Sequence, residues 1–96
     1  MYATETSVDG TVYRSATNVG YRPTFDGKRL TIESHLFDFS KDVTAGPIEV
    51  RFCTRLRDEQ KFPTIDALRD QVSRDLQRTR KFFLRADRLR GSRQPA

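Results

Sequence analysis

The sequence predicts a mainly β domain: an antiparallel sheet curling toward a barrel, followed by one amphipathic helix. Three observations carry this. Ile48, Val50, Phe52 and Leu56 alternate with Glu49, Arg51, Cys53 and Arg55, the period-two pattern of a strand with one buried face. Three further strand-like runs lie upstream, joined by loops of hairpin size. After Phe62 the period changes, and Ile65, Leu68, Val72, Leu76 and Phe83 recur at helical spacing.

Taken in order, Tyr2 to Ser7 reads as a short strand closed by Asp9-Gly10, the residue pair that tight hairpin turns favour. A second strand runs from Thr11 to about Val19. Gly20 to Gly27 is expected as loop, since Gly20, Pro23 and Asp26-Gly27 interrupt a regular ladder. The third strand is Leu30 to Phe37, with Leu30, Ile32 and Leu36 on one face and Thr31, Glu33, His35 and Phe37 on the other. Ser40 to Pro47 is a second loop before the alternating fourth strand. Thr64 is placed as the helix N-cap and Asp66 in the first turn, where a carboxylate complements the helix dipole. The apolar stripe of the helix is expected to pack on the barrel. Residues 1–90 form the expected domain and 91–96 a flexible tail.

The chain has 96 residues, enough for one modest core. Its apolar content of 35% and mean hydropathy of −0.72 are low for a folded domain. No apolar run reaches the length of a membrane span, and no basic-then-apolar leader opens the chain. One cysteine, Cys53, excludes an internal disulfide framework and a multi-cysteine zinc site, which fits a cytoplasmic setting. Nothing beside Cys53 suggests a lowered pKa. Residues 69–96 hold nine basic residues against three acidic ones, hence +6, which leaves −1 over residues 1–68 of a total of +5. The basic charge is therefore a property of the helix and tail. A small basic module contacting RNA or protein is one reading of it, but basic residues interleaved with aromatics on a strand surface are missing, which argues against nucleic acid.

Three segments carry a more specific signal. They are Asn18-Val19-Gly20-Tyr21-Arg22-Pro23-Thr24-Phe25, Thr31-Ile32-Glu33-Ser34-His35-Leu36-Phe37-Asp38-Phe39 and Arg55-Leu56-Arg57-Asp58-Glu59-Gln60-Lys61-Phe62. In order and spacing they resemble the riboflavin kinase domain, including the C-terminal half of bacterial bifunctional FAD synthetases. The corresponding family segments are an N-x-G-x-x-P-T-F loop, a strand bearing a carboxylate and a histidine, and an L-R-x-E-x-K-F segment before the last helix.

The resemblance implies a small Greek-key β-barrel with a C-terminal helix. It also implies transfer of the ATP γ-phosphoryl group to the 5′-hydroxyl of riboflavin, giving FMN and ADP with Mg²⁺ as cofactor. Glu33 matches the family's catalytic glutamate, and a carboxylate that takes the hydroxyl proton suits such a reaction. Arg57 matches an arginine that would stabilise phosphate charge, and Asn18 and Gly20 would shape the loop beside the nucleotide. His35 becomes a packing neighbour, and Phe37 and Phe39 core and loop packing. Asp58 and Glu59 are read as caps or partners of Lys61.

The family's P-T-A-N motif, whose Thr and Asn hold ATP and magnesium, is expected before the segment aligned with Met1-Tyr2. Ser15-Ala16-Thr17-Asn18 and Pro23-Thr24 echo its letters but belong to the first matched segment. The chain is thus expected to lack the first strand of the barrel and the metal ligands, and to have low activity. A flavin-binding domain without catalysis is the alternative. An FMN adenylyltransferase domain is the partner that the resemblance implies in the parent protein.

Overall fold

The computed structural model describes residues 1–42 and 46–93. It contains four strands, β1 (Tyr2–Val8), β2 (Thr11–Thr24), β3 (Gly27–Leu36) and β4 (Ile48–Arg55), and one helix, α1 (Ile65–Arg93). Two compact units result, Met1–Lys61 with the strands and Phe62–Ala96 with the helix.

All pairings are antiparallel and the strand order is β3-β2-β1-β4. Three consecutive strands joined by hairpins, and a fourth that returns beside the first, make a Greek key. The mainly β class is as expected. The barrel is not closed: among the described residues β3 and β4 remain the two edges of an open sheet.

Each hairpin follows from its turn residues. Asp9 and Gly10 both have positive φ, 51° and 81°, which gives the two-residue loop the twist its strands need. Val8 and Thr11 flank it as a pair. The second hairpin corrects the expected loop over Gly20 to Gly27, because β2 continues to Thr24 and β3 begins at Gly27. Pro23 is tolerated for a reason of register. Thr24 and Gly27 flank the turn as a hydrogen-bonded pair, so the next pair, Pro23 with Lys28, is one whose amides point away from each other. β1 pairs with β2 only as far as Thr17, so the missing amide of Pro23 deprives no neighbour.

The register sorts side chains onto two faces. One face carries Thr4, Thr6 and Val8 of β1, Ser15 and Thr17 of β2, Leu30, Ile32 and Ser34 of β3, and Ile48, Val50 and Phe52 of β4. Its centre is polar. Thr6 and Ser15, Ser15 and Thr4, Thr4 and Thr17, and Thr17 and Ser34 are hydrogen-bonded at 2.7 Å each. Thr4, Thr6, Ser15 and Thr17 are buried. A hydroxyl both donates and accepts, so a chain of them satisfies each member without water. This explains how a sequence of low apolar content still builds a buried sheet centre.

Leu30, Ile32, Ile48 and Phe52 fulfil the expected alternation but are exposed, because they stand on the two open edges. Ile32, Leu36, Phe39 and Ile48 border a hollow of about 420 Å³ on this face.

In α1, Thr64 acts as the N-cap: its Oγ1 accepts the amide of Ala67 at 3.1 Å. Asp66 lies in the first turn. Buried positions along the helix are Asp75, Thr79 and Phe83, four residues apart, with Thr79 Oγ1 donating to the Asp75 carbonyl. Ile65, Leu68 and Val72 lie on the same side at 100° per residue, yet they are exposed, so only the later part of the expected stripe is buried. The helical backbone runs through Arg93, into the segment expected as tail, and 94–96 lie outside the described residues. Of the expected loop over Ser40 to Pro47, residues 43–45 also lie outside them.

Candidate functional site

Asn18, Gly20, Arg22, Thr31, Glu33 and His35 share the second face of the sheet, on neighbouring strands. Strand periodicity alone puts Asn18, Gly20 and Arg22 together on β2, and Thr31, Glu33 and His35 together on β3. The hairpin register then joins the two sets, pairing Asn18 with Glu33 and Gly20 with Thr31. Asn18 and Gly20 are therefore ladder residues of β2. The expectation that they shape a loop is corrected, since the hairpin extends past them to Thr24.

Glu33 forms an ion pair with Arg22, four residues beyond its cross-strand partner. Both side chains are well exposed, 65% for Arg22 and 55% for Glu33, so the pair orients the carboxylate and adds little stability. Thr31 Oγ1 donates to the Gly20 carbonyl at 3.3 Å, which fixes the backbone where β2 leaves β1.

The third matched segment reaches the same place. Glu59 Oε1 lies 2.7 Å from where a Cβ on Gly20 would stand. Only a residue without a side chain admits the carboxylate there. Asp58 pairs with Arg55 three residues back. Arg57 donates from Nη1 to the Asp58 carbonyl at 2.9 Å, and its own carbonyl accepts the Met1 amino group at 3.0 Å. The Met1 carbonyl in turn accepts the Leu56 amide at 2.8 Å. The start of the chain thus anchors the arginine segment. His35 packs edge-on against Phe37 with ring centres 5.6 Å apart, and Phe39 packs against Tyr13 at 4.9 Å.

Two residues inside the matched segments, Arg22 and Glu59, are not assigned to this surface by the sequence. Arg22 was findable, since it has the parity of Asn18 and Gly20 on β2. Glu59 was not, because its approach to Gly20 depends on the path of the chain after β4. Chemically, the surface offers a carboxylate held by a guanidinium, an amide side chain beside it, and a second carboxylate over a bare stretch of backbone. Such a set can accept a proton from a hydroxyl and offer polar partners to a ligand nearby. Among the described residues, no three His, Cys, Asp or Glu side chains gather as a cation set. No helix among the described residues is long and apolar enough to cross a membrane.

Comparison with known proteins places these observations. Residues 1–83 match the protein family described as Flavokinase: Riboflavin kinase. The chain is similar to the bifunctional riboflavin kinase/FMN adenylyltransferase of Haemophilus influenzae, 39% identical over 74 residues that cover 77% of this chain and 24% of that protein. It is also similar to the protein of the same name in Bacillus subtilis, 38% identical over 86 residues, covering 86% of this chain and 27% of the relative. A solved structure described as a macrolide-efflux protein from Streptococcus pneumoniae superposes with a TM-score of 0.74 at 34% identity, over 82% of this chain and 26% of that one. The chain therefore spans about a quarter of the length of the curated relatives it matches.

Proposed function

This chain belongs to the riboflavin kinase family, and we propose that it acts in transfer of the ATP γ-phosphoryl group to the 5′-hydroxyl of riboflavin. The observation that carries the reading is the pairing of Asn18 with Glu33, which puts the matched carboxylate beside the matched asparagine on an accessible face. Attack by the hydroxyl oxygen forms the new O–P bond while the bond from Pγ to the bridging oxygen breaks and ADP leaves. The hydroxyl proton passes to the Glu33 carboxylate, which Arg22 holds in place. Arg57 stabilises charge on the transferred group through its planar fork. Asn18 and Gly20 line the approach, and Gly20 leaves room there for Glu59.

Magnesium belongs to this reaction as the ion that accompanies ATP. No step is assigned to a resident metal. A cytoplasmic setting and a companion FMN adenylyltransferase domain in the parent protein are part of the same proposal. The relatives whose names combine the two activities support the companion domain.

Riboflavin fluorescence tests the reading. Titration with the chain is expected to quench the flavin, and addition of Mg-ATP to yield FMN. Quenching without any FMN would favour the non-catalytic flavin binder. No quenching at all, together with salt-sensitive RNA binding, would favour the basic module.

A further inference from the structure

We propose that Arg22 is the positioning residue of Glu33, and that Arg29, directly opposite Arg22 on the next strand, directs it there. The proposal rests on the phosphoryl-transfer reading and adds to it the two cations that govern the base.

Three cross-strand pairs follow one another on this face of the β2–β3 hairpin: Asn18 with Glu33, Gly20 with Thr31, and Arg22 with Arg29. The direct partner of Arg22 is therefore a second cation, and like charges directly opposite repel. The direct partner of Glu33 is a neutral amide, which leaves its charge unmatched. Arg22 answers both. Its side chain passes over the middle pair, and its Nη2 donates to Glu33 Oε1. Among the described residues Arg29 holds no ion pair that would offset its charge.

The middle pair leaves this path clear. Gly20 has no side chain, and Thr31 turns its hydroxyl down to the Gly20 carbonyl at 3.3 Å. The Glu59 carboxylate also stands over Gly20. Both carboxylates thus draw the guanidinium along the strand, in the direction that Arg29 pushes it.

The base gains a fixed direction from this arrangement. At 55% exposure the Glu33 side chain has little packing to select its rotamer. The bond from Arg22 engages Oε1 alone, and among the described residues Oε2 has no partner, so that oxygen is the one left to take the hydroxyl proton. An exposed ion pair contributes little to stability. Its effect lies in placement, and a reacting group displaced by about 1 Å can lose two orders of magnitude in rate.

Turnover of riboflavin by the full chain with Mg-ATP tests the proposal, with flavin quenching as the separate readout of binding. Arg22→Met is expected to lower kcat about tenfold and to leave the riboflavin titration unchanged. Arg22→Lys keeps the cation without the fork and should recover part of the loss. In a Glu33→Gln background Arg22→Met should cost nothing further, since its whole effect passes through the carboxylate. Arg29→Glu sets an acid directly opposite Arg22 and draws it away from Glu33. It is expected to lower kcat about threefold, and to have no effect once Arg22 is replaced by Met. Full turnover by Arg22→Met, a further loss in the Glu33→Gln background, or a loss from Arg29→Glu that persists without Arg22 would each overturn the proposal and leave Glu33 standing as the base. No FMN from the unaltered chain would overturn the phosphoryl-transfer reading and this proposal with it.

Discussion

Glu59 Oε1 stands 2.7 Å from the position a Cβ on Gly20 would take, so the segment after β4 closes onto the one position of β2 that has no side chain to resist it. Glu59 is exposed and flexible, and a methyl group at position 20 pushes it aside at low cost. Gly20→Ala is expected to lower stability in urea by less than about 1 kcal/mol. In a Glu59→Ala background that cost should vanish. A loss that persists there would mean that the glycine serves the backbone and not the contact.

Glu33→Gln keeps the size of the side chain and removes its ability to take a proton. FMN formation is expected to fall by about 10² to 10⁴, the range for loss of a general base. Riboflavin quenching should survive. Turnover equal to that of the unaltered chain would sink the assignment of Glu33 as base.

The hydroxyl chain through Thr6, Ser15, Thr4, Thr17 and Ser34 depends on its middle. Thr4 bonds to both Ser15 and Thr17, so Thr4→Val leaves two buried hydroxyls short of a partner. The expected loss is about 1 to 3 kcal/mol, read from chemical denaturation. Thr4→Ser keeps the oxygen and should lose less.

Cys53 occupies an irregular point of β4, where the register with β1 shifts between Ala3 and Thr4. Partial desolvation raises its thiol above the ordinary value, and the Glu5 carboxylate, whose Oε1 lies 3.8 Å from Sγ, adds to the rise. Less thiolate is therefore present at mildly alkaline pH than in a free cysteine. Alkylation by iodoacetamide at pH 8 should run slower than for the free amino acid, and Glu5→Gln should speed it. A raised folded value also means that the proton stabilises the fold. That contribution is present below the unfolded thiol pKa and declines as pH rises through the folded one.

Much of this molecule is legible along the chain because the deciding interactions are local. Asp9-Gly10 dictates a two-residue turn by its freedom at positive φ, and Thr64 caps α1 through an amide three residues away. The alternation of β4 and the segments around Asn18, Glu33 and Arg57 are equally properties of short stretches of sequence. By itself, then, the sequence determined the fold class, the order of elements, the family and the parity that puts Glu33 and His35 on one face. Only the tertiary structure decided what depends on pairing between distant residues. Register set Glu33 against Asn18 and carried β2 through Pro23, whose tolerance there depends on where β1 stops. The open sheet left Ile48 and Phe52 in solvent despite their buried pattern, because alternation tells which face a side chain takes and not whether anything covers it.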